Sequence, residues 1–178
     1  MCFFKKRKEE KLNKKYMGIL MNVLARQPRV EKMPIAGGRI NETQEPFAKI
    51  HELGPAMLQD LGEKGKVRIS YNQSQQKLTA LLVFSYQKGD DEIDVIKDAL
   101  DTIDLDQEFF FPGEIYDYQI IYYTDTKLTG ISFYTKEVTP KNLEKSAEKL
   151  LGNVFDWMDV YSEAYEDAYG ICDDEDEE

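Results

Sequence analysis

Residues 139–170 read TPKNLEKSAEKLLGNVFDWMDVYSEAYEDAYG. Apolar side chains recur in this stretch at alternating steps of four and three residues, which is the period of one face of an α-helix. The stripe consists of Leu143, Ala147, Leu150, Val154, Trp157, Tyr161, Ala164 and Ala168, and it is widened by Leu151, Phe155, Met158 and Tyr165. Thr139 is a typical N-cap, Pro140 suits a first turn, and Gly170 is a typical end. The pattern predicts a helix of about seven turns whose broad apolar face is covered.

Two alternating segments precede this helix. Residues 116–124 and 129–135 alternate their side chains with the period of two that is typical of a β-strand. Residues 125–127 supply a polar turn between them. We therefore expect a tyrosine-rich β-hairpin. Residues 109–112, just before it, are expected to form a short strand or a packed loop.

A similar hairpin and a further helix are predicted upstream. In residues 66–71 and 78–86, apolar side chains recur at every second position, and a polar turn at residues 72–76 separates the two segments. Residues 89–106 then return to the helical period. The apolar side of that helix carries Ile93, Ile96, Leu100 and Ile103.

Two more helices are predicted nearer the N-terminus, over residues 43–61 and 9–27, the latter stopped by Pro28. Because hairpins rather than single strands lie between the helices, an antiparallel sheet is favoured over a doubly wound parallel one. The predicted fold class is α+β, in the order helix, hairpin, helix, hairpin and long C-terminal helix, with that helix packed on a mainly antiparallel sheet.

Three regions are expected along the chain. Residues 1–41 are predicted to form a basic N-terminal helix and a linker that contains a Gly-Gly pair. Residues 42–170 are predicted to form a single α+β domain. Residues 171–178 are almost entirely acidic and are expected to be a disordered tail.

The charge of the chain is uneven. Residues 1–45 carry 11 Lys and Arg against 5 Asp and Glu, whereas residues 46–178 carry 12 against 29, within a total charge of −11. A negative surface repels phosphate backbones, so nucleic-acid binding by the main body is not expected. A basic protein is the partner that this charge favours.

One helix face in the acidic part suggests where such a partner binds. Helical spacing places four aspartates opposite the apolar side of residues 89–106. These are Asp91, Asp94, Asp98 and Asp101, and Asp104, Asp106 and Glu108 continue the negative charge. We predict that this surface binds a basic partner; the alternative is a helix face that is simply solvated.

Two aromatic residues of the C-terminal stripe are further candidates for an interface. Trp157 and Tyr161 belong to residue types that anchor many interfaces. The heptad-like spacing is compatible with a homodimer in which two C-terminal helices pair. The alternative is that both rings pack against the sheet of their own chain.

No catalytic or cofactor motif accompanies these surfaces in the sequence. His51 is the single histidine, and no neighbouring pattern suggests a catalytic role for it. One histidine and two distant cysteines, Cys2 and Cys172, do not make an ordinary zinc site, so we expect no metal and no cofactor. These cysteines are a poor disulfide framework, and no apolar run of about 18 residues occurs. We therefore expect a cytoplasmic protein without a transmembrane segment.

Three hypotheses on function follow. The first is a non-enzymatic acidic protein that binds another protein, such as a bacterial inhibitor, an immunity-type protein or a secretion chaperone. No motif ties the chain to one of those families, so this comparison rests on composition and element order. The second is an enzyme with a non-local Asp, Glu and Tyr site, whose pocket Tyr118, Tyr122 or Tyr134 would line. The third is a domain that assembles with itself through the C-terminal helix.

Overall fold

The computed structural model of the chain describes residues 2–30, 47–49, 66–85, 90–123 and 128–169. In chain order, its helices and strands are α1 (Cys2–Arg26), β1 (Phe47–Lys49), β2 (Lys66–Asn72), β3 (Lys77–Ser85), α2 (Asp90–Asp101), β4 (Asp117–Tyr123), β5 (Leu128–Thr135) and α3 (Leu143–Tyr169). The two hairpins, the helix between them and the long C-terminal helix follow the predicted order, and the fold class is α+β.

The strands form one antiparallel sheet in the order β1-β2-β3-β5-β4. Both predicted hairpins are present. In the first, Asn72 of β2 faces Lys77 of β3 across the turn, and in the second, β4 and β5 pair from Asp117 opposite Tyr134. β3 and β5 pair with each other, which joins the two hairpins into a single sheet.

One predicted helix is wrong where the structure describes it. The apolar spacing of residues 43–61 predicts a helix, but Phe47–Lys49 form strand β1 and pair with Lys66–Arg68 of β2. The edge of β2 offers these residues backbone partners from a distant part of the chain, and a local helical period does not reveal such a partner. The rest of that stretch, including His51, lies outside the described residues.

Three helix limits differ from the predicted ones by more than one residue. α1 begins at Cys2, seven residues before its predicted start. α2 ends at Asp101, five residues earlier than its apolar period suggests, and a turn follows. α3 begins at Leu143, because residues 140–142 form a turn in which Asn142 Oδ1 accepts the N–H of Thr139 at 2.7 Å. Asn142 rather than Thr139 therefore precedes the first helical residue.

Helix α3 lies over the middle of the sheet. It contacts β3 and β5 beneath it and α1 and α2 beside it, and most of its predicted apolar stripe is buried. Every second side chain of the sheet faces this helical layer; the buried positions include Val67, Ile69, Leu78, Ala80, Leu82, Ile131 and Phe133. Intervening residues such as Ser70, Thr79 and Ser132 are half-exposed on the opposite face. The predicted packing of the C-terminal helix on the sheet is confirmed.

Helix α1 packs beside α3 and contributes to the same core. It ends before Pro28, as predicted. Val23 and Leu24 are fully buried. Beyond the helix, Arg29 Nη2 donates to both carboxylate oxygens of Asp159 in α3, at 2.6 and 2.7 Å. The boundary predicted near residue 41 and the acidic tail at residues 171–178 lie outside the described residues.

Candidate functional site

The exposed apolar side chains of the described residues are concentrated in one segment. Six large hydrophobic residues of the described chain are exposed. Four of them, Leu105, Phe109, Phe111 and Tyr116, fall in residues 104–116, which we call the aromatic loop. Phe109 is 72% exposed and Phe111 is 59% exposed. Single exposed apolar residues are common on protein surfaces, but a cluster of them marks a surface with a role in binding.

The aromatic loop ends in a tight turn with fixed geometry. Phe111, Pro112, Gly113 and Glu114 form a β-turn in which the Glu114 N–H donates to Phe111 O at 3.0 Å. Gly113 has a φ of +103°, a value that L side chains rarely adopt. Proline at the second position and glycine at the third are the residues that a type II turn requires. The turn is therefore encoded locally.

Helix α3 and strand β5 hold this turn in place. The Gly113 N–H donates to the buried Oγ1 of Thr135 at 2.9 Å, and Asn153 Nδ2 donates to Gly113 O at 3.1 Å. A Cβ atom added to Gly113 would lie 2.8 Å from the Cβ of Lys149 and 3.0 Å from the carbonyl oxygen of Ser146. The glycine thus permits a close approach of the turn to α3.

Glu114 ties the turn to the same helix electrostatically. Its Oε1 accepts from Lys149 Nζ at 2.7 Å, and its Oε2 accepts the Phe111 N–H at 2.8 Å. The hydrogen bond from Lys149, followed by that from the Phe111 amide, lowers the pKa of Glu114. The N–H and the C=O of Phe111 are therefore both hydrogen-bonded to Glu114, while the side chain of Phe111 stays exposed.

Aromatic rings and lysines continue this surface towards the sheet. Phe110 meets Tyr116 edge to face with ring centroids 5.5 Å apart, and Tyr116 lies 6.0 Å from Tyr134. Lys136 Nζ stands 3.4 Å from the centroid of Tyr116, and Lys77 Nζ stands 3.8 Å from that of Tyr134, which are cation–π distances. The base of the loop is therefore packed, whereas Phe109 and Phe111 project from it.

The acidic residues predicted as a binding surface lie in α2 and at the start of the aromatic loop. Asp94, Asp98 and Asp101 of α2 are exposed, and so are the loop residues Asp104, Asp106 and Glu108. Asp91 lies in the first turn of α2. Lys97 pairs with Asp94 at 3.1 Å. The chain thus leads from an acidic helix face directly to the exposed phenylalanines.

The other two predicted contact residues are inside the core. Trp157 and Tyr161 are 3% and 0% exposed, and their rings stack at 5.5 Å with an interplanar angle of 10°. Trp157 also lies 5.2 Å from Phe133 of β5, and its Nε1 donates to Ala99 O of α2 at 3.0 Å. These rings join α3 to α2 and to the sheet, which is the alternative considered for them above. They are not accessible to a partner in this conformation.

The tyrosines proposed to line an enzyme pocket are not brought together. Tyr118 lies opposite the buried Phe133, on the sheet face that the helices cover, and Tyr122 lies opposite the buried Thr129 on that face. Tyr134 lies on the other face, where its hydroxyl donates to Asp117 Oδ2 at 2.8 Å. This hydrogen bond is the largest contribution to a rise in the pKa of Tyr134 to about 12. Such a phenol is held protonated at neutral pH.

A polar cleft of about 570 Å³ lies elsewhere, between α1 and the β2–β3 turn. Its lining includes Glu9, Asn13, Ser70, Asn72 and Lys77. Among the described residues, no group of three or more His, Cys, Asp and Glu is arranged to hold a metal ion. Of the described residues in this lining, Glu9 and Lys77 are charged, and none is a histidine or a cysteine.

Comparisons with models of protein families, with curated proteins and with solved structures found no match for this chain. None of the three described helices combines the length and the apolar composition needed to cross a bilayer. Fold and site together define an α+β protein that presents exposed aromatic side chains beside an acidic surface.

Sequence reasoning named acidic residues of the aromatic loop but missed its exposed aromatic residues, since it extended the helix to residue 106 and treated residues 109–112 as a short strand or a packed loop. The signal was present in Phe109, Phe110 and Phe111 followed by Pro-Gly. Three consecutive aromatic residues before a turn do not all point into one core, because neighbouring side chains of an extended chain point in opposite directions. At least one exposed phenylalanine follows from that pattern.

Proposed function

We propose that this protein binds another protein through the aromatic loop, with Phe109 and Phe111 as anchors and the neighbouring acidic residues as the surface that attracts a basic partner. The observation that carries this proposal is the exposure of both phenylalanines on a loop whose final turn is fixed by hydrogen bonds to α3 and β5. The protein has no enzymatic role in this proposal.

The free energy available from the two rings is large enough for specific binding. Burying an exposed phenylalanine side chain contributes about 1.5–3 kcal/mol, which corresponds to about tenfold to a hundredfold in affinity. A turn that is already ordered in the free protein loses little conformational entropy on binding. An aromatic side chain on a fixed turn, as Phe111 is, with a second exposed phenylalanine and polar residues beside it, has the composition of an interface hot spot.

The charge of the surrounding surface supports a basic partner. Asp104, Asp106 and Glu108 lie within five residues of Phe109, and α2 adds three exposed aspartates. Clustered negative charge increases the rate at which a positive partner associates, and salt screens this effect. The apolar anchors account for affinity and the carboxylates for attraction and orientation.

The same features are compatible with a bacterial inhibitor, an immunity-type protein or a secretion chaperone acting in the cytoplasm, each of which binds one dedicated protein. This narrower proposal is supported by the acidic composition and the two distant cysteines. A membrane is the rival target of exposed phenylalanines, but carboxylates beside them oppose contact with anionic lipid.

The test compares three forms of the protein as baits in an extract of the cells that produce it. They are the wild type, the double variant Phe109→Ala/Phe111→Ala, and the control Val160→Ala, which truncates an exposed apolar residue of α3. We expect a basic protein to be retained at low salt by the wild type and the control. The double variant is expected to lose it, and with purified partner its Kd is expected to rise by about a hundredfold or more.

Two outcomes would contradict the proposal. Equal retention of every captured protein by the wild type and the double variant would show that the phenylalanines are not anchors. Binding to vesicles of anionic lipid that is lost in the double variant would identify a membrane as the target. Circular dichroism of all three forms checks that the variants remain folded.

A further inference from the structure

Strand β4 is the last strand of the sheet and has a partner on one side within the described part of the chain. Its sequence is DYQIIYY, which contains no proline, lysine or glycine. Edge strands of stable proteins are usually interrupted by such residues or covered, because their unpaired backbone groups otherwise bind another strand. In β4 the one charged residue, Asp117, stands at its beginning, and residues 118–123 carry no charge.

The local hydrogen bonds show which backbone groups of β4 face away from β5. The N–H of Tyr116 donates to Tyr134 O at 2.7 Å, while Asp117 is also aligned with Tyr134. Tyr116 and Asp117 thus both lie opposite Tyr134, and two residues opposite one form a β-bulge. From Asp117 onwards, the backbone N–H and C=O of every second residue point towards β5. Tyr118, Ile120 and Tyr122 then direct their amides outwards. In agreement, the Tyr118 N–H donates to Asp117 Oδ1 at 2.8 Å rather than to a strand.

We propose that the outer edge of β4 binds an extended, basic segment of the partner protein, which adds to the sheet as a further antiparallel strand. This inference rests on the proposed function, because the segment belongs to the same partner that buries Phe109 and Phe111. Addition of a strand to an open edge is a common mode of peptide recognition, in which backbone hydrogen bonds supply affinity and side chains supply specificity.

The charge at this edge favours a basic segment. Burial raises the pKa of Tyr118, and the negative charges of Asp101 and Asp117 raise it further. Asp101, at the end of α2, is therefore close to the hydroxyl of Tyr118. Lysine or arginine side chains of an added strand would lie near these carboxylates. An acidic segment would meet repulsion.

A second copy of this chain fits the edge less well. Antiparallel pairing of two β4 strands around Ile120 places both α2 helices on the same face of the joined sheet, next to the symmetry axis. Each α2 presents Asp94, Asp98 and Asp101. Like charges brought together in this way oppose the dimer.

The position of the edge also agrees with the aromatic loop, which runs directly into β4. Of the six exposed large hydrophobic residues in the described chain, five lie between Leu105 and Tyr122. An added antiparallel strand would end beside Asp117, which directly follows the aromatic loop. One partner can therefore contact the loop and the edge together.

The test uses a synthetic peptide of seven residues in which lysine and valine alternate, with a glutamate–valine peptide as its matched control. Amide exchange is measured by NMR at Ile120 and Tyr122. The third outward amide, that of Tyr118, is left out because it already donates to Asp117. We expect the lysine peptide to slow exchange at both amides by about tenfold at saturation. The glutamate peptide is expected to leave both rates unchanged.

Two variants of Tyr122 separate the backbone from the side chain. Tyr122→Pro removes the outward N–H, and Tyr122→Ala removes the same ring but keeps that N–H. We expect the proline variant to lose the protection at Ile120 and the alanine variant to keep it. Unchanged exchange at Gln119 and Ile121, which bond to β5, verifies the fold. Asp101→Asn is a milder variant that is expected to weaken peptide binding several-fold.

Phe109→Ala/Phe111→Ala is expected to bind the peptide like the wild type, since this short probe does not reach the loop. Loss of the captured partner in that variant therefore tests the proposed function, and protection of Ile120 tests the edge. The edge proposal is overturned if the lysine peptide protects neither amide, or if both peptides protect equally. It is also overturned if light scattering shows a dimer in which these amides are already protected.

Discussion

Lys149 Nζ lies 2.7 Å from Glu114 Oε1, although 35 residues separate the two in the chain. This contact joins α3 to the turn that presents Phe111. The Lys149 side chain is 40% exposed and that of Glu114 is 18% exposed, and an ion pair at the surface contributes little to stability by itself. Its importance here is positional, because it fixes the base of the aromatic loop on the longest helix of the fold.

Substitution of Gly113 tests how closely the turn approaches α3. Gly113→Ala forces a side chain into a φ of +103° and places its Cβ 2.8 Å from that of Lys149. We expect the free energy of unfolding to fall by about 2–4 kcal/mol, measured by urea denaturation.

The matched control for this prediction is Gly152→Ala within α3. Apart from neighbouring atoms of the same helix, no atom lies within 4 Å of the Cβ that this change adds. Replacing a helical glycine by alanine is expected to increase the free energy of unfolding by up to about 1 kcal/mol. A similar, small effect for both substitutions would show that the turn is not held against the helix.

The pKa of Glu114 predicts a pH dependence of stability. Hydrogen bonds from Lys149 and the Phe111 amide hold that pKa below its ordinary value of 4.5. The carboxylate therefore stabilises the folded state at pH values above 4.5, and this contribution is lost as pH falls through the lower pKa of the folded protein.

We expect the stability difference between the wild type and Glu114→Gln to be constant at neutral pH and to shrink below pH 4.5. Urea denaturation at a series of pH values measures it. Glu163→Gln, at an exposed position of α3, is the control. A difference that does not change with pH would disprove the role given to this carboxylate.

Tyr134 and Asp117 predict a change at alkaline pH. Their hydrogen bond helps to raise the pKa of Tyr134 from 10.0 to about 12. A group whose pKa is higher in the folded state stabilises the protein fully below its unfolded value, so this contribution is present below pH 10.0 and is lost as pH rises through about 12.

Phenolate absorbance measures this titration, and Tyr134→Phe identifies the signal of Tyr134 by removing it. We expect Asp117→Asn to lower the pKa of Tyr134 towards 10.0, because the carboxylate charge disappears while an acceptor oxygen remains. An unchanged midpoint in Asp117→Asn would mean that this hydrogen bond does not control the ionisation.

Trp157 is the one tryptophan of the chain and reports on the junction of α2, α3 and the sheet. Because its ring is 3% exposed, we expect blue-shifted fluorescence that moves to longer wavelength in the same transition in which helicity is lost. Trp157→Ala is expected to lower the free energy of unfolding by about 3–5 kcal/mol.

The control for this prediction is Val160→Ala, on the exposed side of the same helix. Its expected effect is within about 0.5 kcal/mol. A fluorescence change that precedes the loss of helicity would show that the indole is not part of the cooperative core.

Local patterns were sufficient to predict α3 and both hairpins. The stripe from Leu143 to Tyr165 and the alternation in β4 and β5 are properties of neighbouring residues, so they are visible without the fold. Phe47–Lys49 were assigned wrongly because their strand depends on Lys66–Arg68, which lie on another part of the chain. Pairing over such distances has no local signature.

The candidate site was likewise predictable where it depends on neighbouring residues and not where it depends on distant ones. Charge and helical spacing indicated the exposed acidic face of α2, since Asp94, Asp98 and Asp101 share one side of any helix. The same reasoning named Trp157 as a possible contact residue, with packing in its own chain as the alternative, and did not name Phe109. In the structure Trp157 lies in the core and Phe109 is largely exposed.

Sequence periodicity therefore established which side of each regular element is apolar, because that depends on residues three or four positions apart, or two positions apart in a strand. The tertiary structure decided which apolar side chains are covered. Trp157 meets Ala99 and Phe133 from distant segments. Phe111, in contrast, stands on a turn that Asn153 holds at the Gly113 carbonyl and Lys149 holds at the Glu114 carboxylate, and it stays 59% exposed. Coverage depends on which distant elements meet, and this is a property of the assembled fold.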